Sequence, residues 1–128
     1  MKETLHVNGT LGEEKYLVEI KTTNHTIMVD EPISIGGSDS FPNPAQYLLT
    51  ALASCTAVTI KMYANDKGWD IGIINVDVKL KDVLSEGKSV KKMVKTVQFE
   101  KLIDDSQVER LLTIGSKCPI SKLLEQPI

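Results

Sequence analysis

Residues 43–68, NPAQYLLTALASCTAVTIKMYANDKG, run from an asparagine–proline pair to a glycine with no other proline or glycine between them. Asn43 is a favoured N-cap, Pro44 suits the first helical turn, and Gly68 stands where a left-handed C-cap ends a helix. The spacing predicts one long helix over 44–67. Leu48, Ala51, Leu52, Cys55, Thr59 and Met62 fall on one face, while Tyr47, Ala53, Ala57, Val58 and Ile60 make much of the remaining circumference apolar. A helix apolar nearly all round belongs at the centre of a fold.

What surrounds that helix is read outward from it. Before it, Leu5 and Val7, then Tyr16, Val18 and Ile20, then Ile27 and Val29 alternate with polar residues, and NGTLGEE and TTN separate them as turns. This pattern predicts a three-stranded meander. DEPISIGGSDSFPNP, residues 30–44, then breaks regular structure with two adjacent glycines and three prolines. IGGSD lacks the frame of a phosphate-binding loop, so the glycines are expected to serve a tight turn.

After the helix, INVDVKL and KKMVKTVQFEKL alternate again, with Met93, Val97 and Phe99 on one side and SEGK between them as a hairpin turn. The Lys91 and Lys92 pair is expected on a solvated strand. Asp104 and Gln107 resemble a capping box opening a helix whose apolar stripe is Val108, Leu111 and Leu112. CPISKLLEQ begins a second short helix, with Cys118 at the cap and Pro119 in the first position. A meander and a hairpin are too little sheet to cover the central helix on every side, which points to a homodimer sharing its core.

The 128 residues, with 41% apolar and 25% charged side chains, suit a single α+β domain over 1–128. A net charge of −2 offers no electrostatic footprint for nucleic acid or an anionic membrane. The first residues lack a signal-peptide core and no stretch is expected to span a bilayer, so the cytoplasm is the expected location. Two cysteines in a reducing compartment suit core packing, metal binding or redox chemistry. Cys55 by its position is ordinary core filling. Cys118, at a helix N-terminus, meets unpaired N–H groups that favour thiolate. Zinc wants four closely spaced ligands, and His6 and His25 are isolated in the meander, so no metal is expected. Neither histidine has the surroundings of a hydrolase site.

DEPISIGGSDSFPNPAQYLLTALASCTAVTIKMYANDKGW, residues 30–69, together with SKCPISKLLE, residues 116–125, resembles the OsmC/Ohr family of thiol-dependent hydroperoxide reductases. The ordered set is an Asp-x-Pro turn, Gly-Gly, an Asn-Pro helix start, Leu-Leu, Ala-x-x-x-Cys, a Lys-Gly-Trp exit and a distant Cys-Pro. The resemblance implies an intertwined α+β homodimer, with the meander, the long central helix, the hairpin and the C-terminal helices in each subunit. It implies a peroxidase that needs no cofactor, with Cys55 as the peroxidatic and Cys118 as the resolving thiol. Its partners would be a hydroperoxide, preferably organic, and a dithiol reductant: a lipoylated protein, a thioredoxin-like protein or a small thiol. A redox sensor and a small-molecule-binding dimer on the same fold are the alternatives. Many members pair a glutamate in the first turn of the long helix with an earlier arginine. Gln46 stands at the matching position and no arginine precedes Arg110; Lys15 and Lys21 do not match the motif. Members usually continue into one more strand after the Cys-Pro helix, whereas this chain stops at EQPI.

Overall fold

Period-two alternation in the first thirty residues produces a small antiparallel sheet of order β1-β2-β3, with β1 at Asn8–Leu11, β2 at Val18–Lys21 and β3 at Thr26–Val29. The computed structural model describes residues 4–101 and 103–126, and over these the chain is α+β, with antiparallel strands and three helices. The backbone forms two compact units, one ending at Leu48 and one beginning at Leu49.

In the N-terminal unit β1 corrects the sequence expectation. Leu5 and Val7 lie before the strand, 93% and 60% exposed, and part of the expected turn, Asn8–Leu11, enters the ladder instead. The register explains the shift: β2 offers only four residues, and pairing Leu11 with Val18 and Asn8 with Lys21 uses them all. His6 precedes β1 and His25 lies in the β2–β3 turn, both exposed, rather than within strands.

The loop that follows is held by Asp30, which is buried and whose carboxylate accepts from the backbone N–H of Glu31 (2.8 Å) and Ser40 (3.1 Å). These bonds hold its carboxyl below the usual carboxylate range. The paired glycines make a tight turn, as their sequence suggests. Gly36 has φ of +103° and closes the 3-10 turn Ile33–Ile35, and a Cβ on Gly37 would lie 2.0 Å from the Glu31 carbonyl oxygen. Only glycine lets the backbone pass there.

Helix α1, Pro44–Lys67, has the limits its sequence predicts. Asn43 Oδ1 accepts from Gln46 N–H and Gln46 Oε1 accepts from Asn43 N–H, both at 2.9 Å, a reciprocal cap. At the other end Gly68, φ +71°, donates to Asn65 O. Within the N-terminal unit the Tyr47 hydroxyl donates to Met28 O at 2.7 Å. By length and composition α1 is long enough and apolar enough to cross a membrane, which corrects the expectation that no stretch could. The core helix of a folded domain has the same length and composition.

In the C-terminal unit a hairpin of two long strands, β4 at Ile74–Ser85 and β5 at Lys88–Phe99, turns at Glu86 and Gly87. Leu102, at the end of the expected second strand, and the last two residues of EQPI lie outside the described residues. Lys91, exposed, pairs across the strands with Asp82 at 2.9 Å. Helix α2, Asp105–Gly115, opens with the Asp104–Gln107 capping box, and helix α3, Pro119–Leu124, has Cys118 as its N-cap.

Leu52, Thr56, Ile60 and Ala64, every fourth residue, form the buried stripe of α1. Ile60 and Ala64 join Ile71 and Leu111 in the core, flanked by Tyr63, Trp69, Val97 and Phe99. Each large apolar side chain buried there contributes about 1.5–3 kcal/mol. This stripe is rotated from the face expected by spacing, since Leu48 and Met62 are 41% and 67% exposed. Leu112, expected in the α2 stripe, is likewise exposed, while Leu111 is fully buried. Periodicity alone could not choose between faces of a helix apolar all round.

Candidate functional site

Two helix-capping rules and one strand register assemble a cluster of polar groups inside the C-terminal unit. Proline cannot donate a backbone bond, so Pro119 starts α3 and leaves Cys118 as the cap, its sulfur turned onto the first turn. There it accepts from Ser121 N–H at 3.4 Å and meets Ser121 Oγ at 3.1 Å. From α1 the buried Thr56 brings Oγ1 to 3.6 Å from Cys118 Sγ, and the neighbouring Cys55 is near enough to act on the same thiol, lowering its pKa. Both cysteines are free thiols; Cys118 is fully buried and Cys55 half-buried.

Burial pushes the Cys118 thiol up. The hydrogen bonds from the Ser121 hydroxyl and N–H, from Thr56 and from Cys55 outweigh it and bring the pKa from 9.0 down to about 7. Cys118 is therefore more readily ionised near neutral pH than an ordinary thiol.

The third contributor is Lys95 of β5, paired across the hairpin with Val78. Its ammonium donates to Thr56 Oγ1, Ser121 Oγ and Gly115 O, each at 3.1 Å. Gly115 permits the approach of α2 to α1, because a Cβ there would lie 2.9 Å from Ile60 Cδ1 and 3.4 Å from Thr56 Cγ2. Alongside runs a groove of about 360 Å³, with Leu52, Met93 and Leu124 on its apolar wall and Lys95, Ser121 and Glu125 among its polar groups.

Of the residues singled out by sequence, Cys55 and Cys118 are brought together from 63 positions apart. Gln46 lies in the first turn of α1, where its side chain closes the reciprocal cap with Asn43. Lys95, Thr56 and Ser121 were not read from the sequence as site residues. A signal for Lys95 exists: it occupies the same side of β5 as Met93, Val97 and Phe99, a lysine in an otherwise apolar register.

Residues 37–128, well over half of the chain, match the family described as OsmC-like protein. The chain belongs to the OsmC-like family. Solved structures agree on the fold of this OsmC-like protein. An organic hydroperoxide resistance protein from Elizabethkingia anophelis, with thiocyanate bound, superposes with a TM-score of 0.75 at 16% identity, over 100% of this chain and 92% of that one. An organic hydroperoxide resistance protein OsmC from Legionella pneumophila gives 0.70 at 19% identity, over 95% and 89%. The organic hydroperoxide resistance protein OhrB of Bacillus subtilis gives 0.63 at 20% identity, over 94% and 90%. No curated protein sequence matches the chain significantly.

Proposed function

We propose that this OsmC-like protein is a thiol-dependent hydroperoxide reductase in which Cys55 is the peroxidatic and Cys118 the resolving thiol. The observation that carries the reading is the buried Cys118 sulfur held by Ser121 and Thr56 beside Cys55, with its thiol lowered to about 7. A disulfide would form when the two sulfurs approach to about 2.05 Å. Cys55 is the more accessible of the two, which suits the thiol that meets substrate.

Cys55, as thiolate, attacks the distal oxygen of ROOH; an S–O bond forms, the O–O bond breaks, and the alkoxide takes up the proton that Cys55 gave to solvent and leaves as ROH. Cys118, also as thiolate, then attacks the Cys55 sulfenic sulfur; the S–S bond forms, the S–O bond breaks, and hydroxide leaves as water once protonated. An external dithiol, from a lipoylated protein, a thioredoxin-like protein or a small thiol, supplies two electrons and two protons to reset the pair. Leu52, Met93 and Leu124 in the adjacent groove favour an organic hydroperoxide, since each methylene they bury is worth about 0.8 kcal/mol.

A homodimer completes the proposal, with residues 1–128 as one domain in each subunit and the cytoplasm as its location. On α1 the exposed Val58 and Met62 lie away from the buried stripe, an apolar face that a second copy would cover. One equivalent of an organic hydroperoxide should give an intramolecular Cys55–Cys118 disulfide, read as the loss of two hydrogens in intact mass and one cross-link in peptide mapping. Cys118→Ser should stop at a dimedone-reactive Cys55. If the wild type consumes no hydroperoxide and both thiols react only after denaturation, the proposal is wrong.

A further inference from the structure

We propose that Lys95 is a positioning residue of the thiol site: its ammonium turns the Thr56 and Ser121 hydroxyls so that both donate to Cys118 Sγ, and sets a fixed cation one hydroxyl away from the resolving thiolate. The inference rests on reading Cys118 as a redox thiol and adds the group that maintains its charge.

An ammonium has three protons and accepts nothing, and the three partners of Lys95 are two hydroxyl oxygens and a carbonyl, each at 3.1 Å. All its donors are used. Each hydroxyl has one proton and two lone pairs, and a lone pair of each is turned to the ammonium. The proton is then best spent on the other neighbour, Cys118 Sγ, at 3.6 Å from Thr56 and 3.1 Å from Ser121. A hydroxyl that accepts from a cation is polarised and becomes a stronger donor. Ser121 N–H points the same way, since it can only donate to the sulfur. The chain from ammonium through hydroxyl to sulfur is therefore directed, and its directed form is the one that holds thiolate.

The surroundings leave Lys95 to this task. Opposite it on β4 stands the neutral Val78, and among the described residues none of the ion pairs includes it. The other groups facing the cluster are Cys55 from α1 and Glu125, which shares the groove just beyond α3. Glu125 lines the same groove without a described ion pair to the lysine. The lowered pKa of Cys118 agrees with this arrangement.

The test isolates one thiol. In a Cys55→Ser background, where a hydroxyl replaces the Cys55 donor, the ultraviolet absorbance of the thiolate reports Cys118 against pH. With Lys95 present the midpoint should lie near 7, and in Lys95→Met it should move toward 9.0. At pH 7 the thiolate fraction would then fall by up to about 50-fold. Lys95→Arg, which keeps charge and donors, should recover most of the loss. An unmoved midpoint in folded Lys95→Met overturns the proposal, as do Met and Arg variants that shift alike, which would mean packing alone. Should Lys95→Met fail to fold, nitrogen-15 NMR of the unsubstituted lysine decides: its ammonium resonance should move with the Cys118 titration, and a resonance that does not move refutes the link. Peroxide reduction is measured separately. A protein without it whose midpoint still depends on Lys95 refutes the reductase reading and keeps this inference, and the converse result does the reverse.

Discussion

Replacing Ser121 by alanine separates the hydroxyl contribution to Cys118 from that of the helix cap, because the Ser121 N–H that points at the sulfur from 3.4 Å is retained while the Oγ at 3.1 Å is lost. A hydrogen bond to a charged acceptor is worth about 1.5–3 kcal/mol, and one pKa unit corresponds to about 1.36 kcal/mol. Ser121→Ala should therefore raise the Cys118 pKa by about one to two units from its value of about 7. Water entering the small space left by the hydroxyl would place the shift at the lower end. At pH 7 the thiolate fraction should drop from about one half to between about 1% and 10%, and the lifetime of a Cys55 sulfenic acid should lengthen about five- to fifty-fold. The first is read by thiolate absorbance in a Cys55→Ser background and the second by dimedone trapping with Cys55 present. A midpoint that stays within about half a unit of wild type would show that burial and the N–H alone govern the thiol, and the hydroxyl argument would fail. The sign carries over to stability. The folded pKa of Cys118 is depressed, so its contribution is fully present above the unfolded value of 9.0 and is lost as pH falls through about 7. Relative to Cys118→Ser, the reduced protein should gain stability between these two values, and Ser121→Ala should flatten that rise.

Two other outcomes bear on packing and assembly. Gly115→Ala should destabilise the protein by about 1–3 kcal/mol in denaturant unfolding, since the new Cβ meets Ile60, which is fully buried; a change near zero would mean that the Ile60 side chain rotates freely aside. Sedimentation at low micromolar concentration should give twice the 14.1 kDa chain mass, and Met62→Glu should shift it toward the monomer. A well-folded wild-type monomer would refute the shared-core argument.

Much of the local structure was legible because each signal acts over a few residues. Asn43, Pro44 and Gly68 set the ends of α1, Asp104 with Gln107 opened α2, and Pro119 left Cys118 no role but the cap of α3. The hairpin turn at Glu86 and Gly87 lies where SEGK predicts it. The first strand was less legible, since Leu5 and Val7 alternate as well as any strand residues, yet the four-residue β2 pairs with Asn8–Leu11. Which face of α1 is buried was not legible at all, because the helix offers apolar residues in nearly every direction.

The sequence by itself determined most of the elements, the family resemblance and the two thiols as a candidate pair. Only the tertiary structure decided what surrounds them. A hydrogen-bonded cluster drawn from the middle of α1, from β5, from the end of α2 and from the start of α3 depends on how side chains far apart along the chain meet, and no local propensity encodes that meeting. Lys95 shows the reason most plainly. In the sequence it is one of several lysines in a strand, and its register placed it on the apolar side. The presence there of Thr56, Ser121 and the Gly115 carbonyl, three acceptors for one ammonium, is a property of the packed chain.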